Sequence, residues 1–434
     1  MATLLVIVTV FVVRVKTGNI ITEASDGQML KLANQYIMGG IYDRNEEEIV
    51  VGEKEGPVWA GGEETEKAFS ELISTDISET INSKMTIAGM GPWIFGLEDN
   101  MFEWDDFLQP WKQRVGGNIR LTIEKELQLF VQERGEQLPY KNMSVVVSNW
   151  KTGEVYVALG EVFSEMHHVG STIKPILAAA VLEINPELIH FTYDCVEANH
   201  TFHTENGPYR IACYNDSSHG LVDMETAIAK SCNGYFVALL QQVPREKLQE
   251  VLTKWGFDTS VSYEQFMYWD HDFLSESQKS EDYLLAAIGQ ANVKMTVMGL
   301  HMCTSAILNQ GVLQEPFLVE AKAAEADDPW ETLRVDKQHQ FCYADVADIT
   351  KNMMLQVTLN GTGQSFYLPG FAAKTGTATN ADGSNTVLTT GGLVQEETPY
   401  CITVCMSGVG NEVSSGVAGK MSKEILQYML GGNE

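Results

Sequence analysis

Between Ser144 and Leu159 two β-rich runs, S-V-V-V-S-N-W and E-V-Y-V-A-L, are parted by a turn at Lys151, Thr152 and Gly153, a pattern that predicts a hairpin. Just ahead of it, N-I-R-L-T-I-E-K-E-L-Q-L-F-V-Q-E-R over 118–134 reads as a short strand giving way to a helix, with Leu127, Leu129, Phe130 and Val131 as its apolar positions. The middle of the chain, from 171 to about 310, turns mostly helical: over 171–184, then around 224–232, then from A-A-I-G-Q through M-G-L-H-M-C-T-S-A-I-L. Strands return in F-A-A-K-T-G-T-A, T-V-L-T-T-G-G-L-V and Y-C-I-T-V-C-M-S, before a last helix over Ser415 to Leu430. Strands first, helices in the middle and strands last is an α+β pattern, with the terminal segments sharing one antiparallel sheet.

The front of the chain is different. Residues 17–117 are acidic and Gly-punctuated, with one predicted helix over Ala68 to Asn82, and read as a small accessory region whose boundary with the large domain lies near 118. Before it stands M-A-T-L-L-V-I-V-T-V-F-V-V-R-V-K, whose unbroken apolar run is short of the ~20 residues that span a bilayer. No basic leader region or A-x-A site marks it as a cleaved signal. Residues 1–16 are read as a membrane anchor that has lost its first turns; a buried β-strand is the other reading of so many β-branched residues.

Composition narrows the function. The 29 basic against 58 acidic residues leave a formal charge of -29, which argues against a nucleic-acid partner, since such a partner demands neutralised phosphates. The acidic stretches E-E-E-I-V-V-G-E-K-E-G and G-G-E-E-T-E-K read as solvated surface. Seven cysteines show no C-x-x-C pair and no zinc spacing with His, so no metal site is expected. Cys195 and Cys213 flank a polar loop and are candidates for a disulfide in an extracytoplasmic domain, whereas Cys401 and Cys405 lie in an apolar run and read as core.

Three short motifs carry candidate chemistry, and each has a decoy or a bland reading. Ser171 and Lys174, in G-S-T-I-K-P, open an apolar helix, so the lysine lies one turn from the serine on the same side. A serine at a helix N-terminus has backbone N–H groups and the positive dipole end near its oxygen, and a lysine sunk in an apolar face has a depressed pKa suited to a general base. The alternative is an N-cap serine and a snorkelling lysine. A second S-x-x-K, Ser148 to Lys151, falls across the hairpin turn, where alternation gives its ends no common face. The chain's one S-x-N is Ser231-Cys232-Asn233, a hydroxyl suited to relaying a proton and an amide suited to a substrate carbonyl, or else a pair of helix-end turn residues. Of three K-T-G runs, at Lys16, Lys151 and Lys374, only the last extends to K-T-G-T-A on a predicted strand after the other motifs. There Lys374 offers positive charge to a carboxylate, Thr375 and Thr377 offer hydroxyls, and Gly376 is a strand position at which substrate lies close.

In this order S-x-x-K, S-x-N and K-T-G resemble the penicillin-binding proteins and serine β-lactamases. The flanks H-G-L-V-D-M-E-T-A-I-A-K-S-C-N-G-Y-F, A-I-G-Q-A, N-G-T-G and A-K-T-G-T-A are similar to a transpeptidase domain from about 118 to 434. G-G-I-Y-D-R-N and G-L-E upstream resemble the pedestal of the membrane-anchored class B proteins. Val297 stands where the family has proline, and T-T-G-G replaces an aromatic pair, departures that touch substrate fit and not the catalytic core. The resemblance implies a central antiparallel sheet flanked by helices with an all-helical subdomain. It also implies acyl transfer on stem peptides ending in D-Ala-D-Ala, covalent inhibition by β-lactams, and no metal or organic cofactor. Ser171 is then the nucleophile, Lys174 its base and Ser231 the proton relay. Asn233, Lys374, Thr375, Gly376 and Thr377 hold the substrate, and the backbone N–H groups of Ser171 and Thr377 form the oxyanion hole. Implied partners are the membrane and a SEDS-type glycan polymerase, with the catalytic domain outside the cell membrane. Rival readings are a D,D-carboxypeptidase or β-lactamase, with water as acceptor, and a penicillin-sensing or scaffold protein that does not turn over. No deacylating glutamate motif follows the S-x-N, against an efficient β-lactamase.

Overall fold

A computed structural model describes residues 36–73, 88–96, 114–140, 142–259, 273, 280–325, 327–333 and 335–431. The apolar run at 1–16, the Lys16 K-T-G and most of the helix expected over 68–82 lie outside them. The chain divides into two compact units, one running up to Lys125 and taking in Leu318–Arg334, the other Glu126–Phe317 with Val335–Glu434.

The first unit is built on a six-stranded sheet whose spatial order is Glu331–Thr332, Val319–Ala323, Asn118–Leu121, Ile41–Tyr42, Glu48–Glu53 and Gly56–Trp59. Residues 318–334, placed with the large domain from sequence, belong here because Val319–Ala323 pairs antiparallel with Asn118–Leu121. Arg120 clamps this junction, reaching Glu320 at 3.0 Å and also Glu46. The G-G-I-Y-D-R-N run turns tightly because Asp43 Oδ1 accepts from the backbone N–H groups of Asn45 and Glu47. A short helix, Glu63–Phe69, ends at Ser70, so Ala68 and Phe69 close a helix where the sequence suggested that one begins; beyond 73 the rest of the expected 68–82 helix lies outside the described residues.

In the second unit helix α1 (Lys125–Glu136) leads into the hairpin of β1 (Asn142–Asn149) and β2 (Val155–Leu159). A 3-10 turn, Gly170–Ile173, then runs directly into α2 (Lys174–Ile184). The helical middle continues with α3 (Met224–Lys230), α4 (Asn233–Leu240), α5 (Val297–Leu308) and α6 (Ala344–Asn360). The chain closes with β3 (Phe371–Thr379), β4 (Asn385–Leu393), β5 (Tyr400–Val409) and α7 (Gly416–Met429). The five strands form one antiparallel sheet in the order β3-β4-β5-β1-β2, so both ends of the unit share a sheet as the α+β pattern predicts.

Both faces of this sheet are covered, which is why β4 is buried along its whole length. On one face Val145, Val147, Phe371, Ile402 and Val404 pack with Leu127, Val131, Ile425 and Leu426 of α1 and α7. On the other, α5 meets the sheet through a polar seam: buried His301 contacts Ser148 Oγ at 2.7 Å and Thr403 Oγ1 at 3.2 Å, and Thr304 contacts Thr390 at 2.7 Å. This settles the Ser148 decoy. Its hydroxyl is engaged with His301, while Lys151 pairs at the surface with Glu396 at 2.9 Å. The long helix expected from A-A-I-G-Q onward is interrupted: 287–293 is turn and loop, with Gly289 at φ 70°, and α5 begins only at Val297. A hairpin of Asn199–Thr204 with Gly207–Ala212, and all of α6, are elements that the hydrophobic pattern did not predict.

Candidate active site

Helix α2 is apolar on every side and buried from Lys174 to Leu182, so its tertiary surroundings and not an amphipathic stripe hold it in place. Ser171 sits in the 3-10 turn ahead of it. The cap positions are Val169 and Ile173, and neither makes a side-chain capping bond, so the N-cap reading of Ser171 falls. Two glycines let this turn lie close to its neighbours: Gly170, at φ 53°, would place a Cβ 2.6 Å from the Thr377 carbonyl, and Gly376 would place one 2.6 Å from the Val169 carbonyl. Gly376 therefore brings β3 against the serine turn, and it also lines the cleft in which substrate was expected to lie close.

Lys174 is fully buried, which removes the snorkelling reading. Its Nζ donates to Asn233 Oδ1 at 2.7 Å and to the Ser231 carbonyl at 2.8 Å, and lies 3.3 Å from Ser231 Oγ. Burial pushes its pKa down to about 8, within reach of a general base at neutral pH. Ser231 holds this geometry through an unusual backbone. It closes α3 at φ 57°, ψ 41°, a left-handed conformation costing roughly 1–2 kcal/mol for a residue with a Cβ. That conformation turns both its carbonyl and its hydroxyl toward the lysines.

Lys374 is also fully buried, and its Nζ donates to Ser231 Oγ at 3.0 Å and to the Thr375 carbonyl at 2.9 Å. Burial, and then the neighbouring Lys174, hold its pKa well below the ordinary lysine value. It lies beneath the cleft, where it donates to the Ser231 hydroxyl; the sequence suggested charge offered to a substrate carboxylate. Asn233 lines the cleft and also reaches below it. Its Oδ1 accepts from Lys174 and its Nδ2 donates to the Ala212 carbonyl at 2.7 Å, so its amide positions the base and ties it to the hairpin. Thr375 Oγ1 pairs with Thr362 Oγ1 at 2.8 Å, a partner carried by the N-G-T-G run after α6.

Above these groups opens a cleft of about 820 Å³, lined by Ser171, Ser231, Asn233, Thr375, Gly376 and Thr377. All three motifs therefore converge on one site although the lysine of the first and the serine of the second are 57 positions apart, and Ser231 and Lys374 are 143 apart. Tyr214, His219 and the Ser414–Gly416 segment complete its walls, contributions that sequence reasoning missed because they arrive through loops. The Cys195 to Cys213 disulfide is not formed: the sulfurs stand 4.0 Å apart, against the ~2.05 Å of a bond, and all seven cysteines are free thiols.

A family model described as Penicillin binding protein transpeptidase domain matches residues 143–427. Stage V sporulation protein D of Bacillus subtilis is 26% identical over 312 residues, 64% of this chain and 46% of that protein. Peptidoglycan D,D-transpeptidase MrdA of Acinetobacter baumannii is 25% identical over 222 residues, 48% of this chain and 32% of that protein. The chain thus spans less than half the length of these curated relatives. The crystal structure of PBPA from Mycobacterium tuberculosis superposes with a TM-score of 0.77 at 17% identity, covering 91% of this chain and all of that one. At that identity the likeness establishes the fold.

Proposed function

The chain belongs to the penicillin binding protein transpeptidase domain family, and from that premise we propose that it is a peptidoglycan D,D-transpeptidase acting through an acyl-serine. One observation carries the reading: Lys174, Ser231, Asn233 and Lys374 form a continuous hydrogen-bonded cluster directly beneath the cleft that exposes Ser171. Buried lysines are costly, and two sharing one serine hydroxyl is an arrangement that serves proton transfer better than stability.

In this mechanism neutral Lys174 takes the Ser171 proton as Oγ attacks the penultimate carbonyl of a stem peptide ending in D-Ala-D-Ala. The backbone N–H groups of Ser171 and Thr377 hold the oxyanion. Ser231, polarised by Lys374, passes a proton to the departing D-alanine amine, and the C–N bond breaks to leave an ester on Ser171. The amine of a neighbouring stem peptide then attacks that ester, restoring the serine and forming the crosslink. Thr375 and Thr377 receive the substrate's terminal carboxylate from the cleft wall. β-Lactams acylate the same serine.

The apolar run at 1–16 supports a membrane anchor that holds the catalytic unit, from about 118 onward, outside the cell membrane, with 17–117 as its pedestal. No helix of the described residues is long and apolar enough to cross a membrane. The class B resemblance supports a SEDS-type glycan polymerase as partner.

The test is acceptor choice. Purified chain is given a pentapeptide ending in D-Ala-D-Ala together with a labelled D-amino acid. Label entering the peptide terminus in excess of plain hydrolysis is the expected result; hydrolysis alone would make the enzyme a carboxypeptidase.

A further inference from the structure

At the S-x-N turn that holds Lys174, three thiols and two imidazoles converge. Cys195 ends the strand Tyr193–Cys195, Cys213 follows the hairpin strand Gly207–Ala212, and Cys232 is the residue between Ser231 and Asn233. Cys213 Sγ lies 4.0 Å from Cys195 Sγ and 3.9 Å from Cys232 Sγ. His219 Nδ1 lies 3.3 Å from Cys195 Sγ, held there because its own backbone N–H donates to the Cys195 carbonyl at 2.9 Å. One donor atom from each of Cys195, Cys213, His219 and Cys232 falls within 4.8 Å of all the others.

These distances are too long for disulfides and stand at ordinary thiol–thiol contact. They also match a tetrahedral ion, and three thiols gathered around an imidazole are a donor set that such an ion takes. With Zn–S of about 2.3 Å the sulfurs of a zinc site stand about 3.8 Å apart, close to both observed separations. From these residues we propose that Cys195, Cys213 and Cys232, as thiolates, and His219 through Nδ1 bind one zinc ion. Binding releases three thiol protons to solvent, and the filled Cys3His centre carries one net negative charge.

A second imidazole supports the site from outside. His200 Nε2 stands 3.5 Å from both Cys195 Sγ and Cys213 Sγ, and its Nδ1 contacts the Tyr193 hydroxyl at 3.0 Å. With Tyr193 donating to Nδ1, Nε2–H donates toward the sulfurs and tempers their charge, as outer partners of ligated thiolates do. Gly234 makes room for this ring, since a Cβ there would sit 2.6 Å from it. Among the described residues this is the one group of three or more metal-ligating side chains so disposed. The ion would join three chain segments separated by 18 and 19 residues and fix the turn from which Ser231 and Asn233 reach Lys174. Its role is structural, and it holds whether the acyl acceptor is an amine or water.

The full chain, purified without chelator, is tested by elemental analysis and by replacement with cobalt. About one zinc per chain is expected, with the intense visible absorption of tetrahedral, thiolate-bound cobalt on exchange. Cys213→Ser and His219→Ala each lose the ion, whereas Cys303→Ala, altering a buried thiol in α5, retains it. Chelation lowers Tm and slows acylation by penicillin several-fold, and added zinc restores both. A chain that neither contains zinc nor takes up zinc or cobalt overturns the site. So does a peptide map joining Cys195 to Cys213 with the mass lower by two hydrogens, or undiminished zinc in both ligand variants.

Discussion

At the residue scale, the base is defined by the environment of Lys174 and not by its identity. Burial lowers its pKa to about 8, so below that pH it is an ammonium ion with no lone pair for the Ser171 proton. The acylation rate with penicillin should therefore rise about tenfold per pH unit below about 8 and level off above it. Stopped-flow acylation across that range checks this, and a flat profile would remove Lys174 as the base. The residues themselves were legible in the sequence, because Ser171, Lys174, Ser231 and Lys374 are side chains whose chemistry is specific in that order. What Asn233 and Lys374 touch was not. Their hydrogen bonds depend on Ser231 adopting a left-handed backbone, and no local signal at a serine announces that. The thiol cluster was hidden for a related reason: spacings of 18 and 19 residues resemble no short metal motif, and only folding brings the sulfurs together.

At the scale of elements, the site depends on β3 lying against the 3-10 turn that carries Ser171. Gly376 permits the contact, with the Val169 carbonyl and Thr172 Cγ2 where a Cβ would stand. Gly376→Ala should displace the turn by a few tenths of an ångström or more and cut the acylation rate by about 10²-fold, the order expected when a nucleophile is misplaced by about 1 Å. Circular dichroism checks that the variant is folded, and an unchanged rate in folded protein would show that the close approach is incidental. The strands and the helices α2 and α7 were readable from β-branched alternation and apolar runs. Helix α6 was not, as its mixed polar and apolar sequence, A-D-V-A-D-I-T-K-N-M-M-L-Q-V-T-L-N, is held by tertiary packing more than by a clear stripe. The break before α5 was equally silent, since the positive φ at Gly289 interrupts an otherwise apolar pattern.

At the scale of the whole molecule, each unit is assembled from distant segments. The catalytic sheet joins 142–159 to 371–409, and the smaller unit recruits 318–334 from deep in the chain. The sequence suggests a boundary near 118, whereas the first unit runs to Lys125 and takes back Leu318–Arg334, a return that is a strand pairing and leaves no mark in composition. The two lysines of the site are both buried in a chain whose formal charge is -29. The central claim is that this architecture makes Ser171 the covalent nucleophile, and the most direct test is the intact mass of the protein over time after penicillin G is added, alongside Ser171→Ala. A long-lived adduct of one drug molecule on the parent chain and none on the variant is the expected result. No adduct on folded parent protein, or an equal adduct on Ser171→Ala, would contradict it.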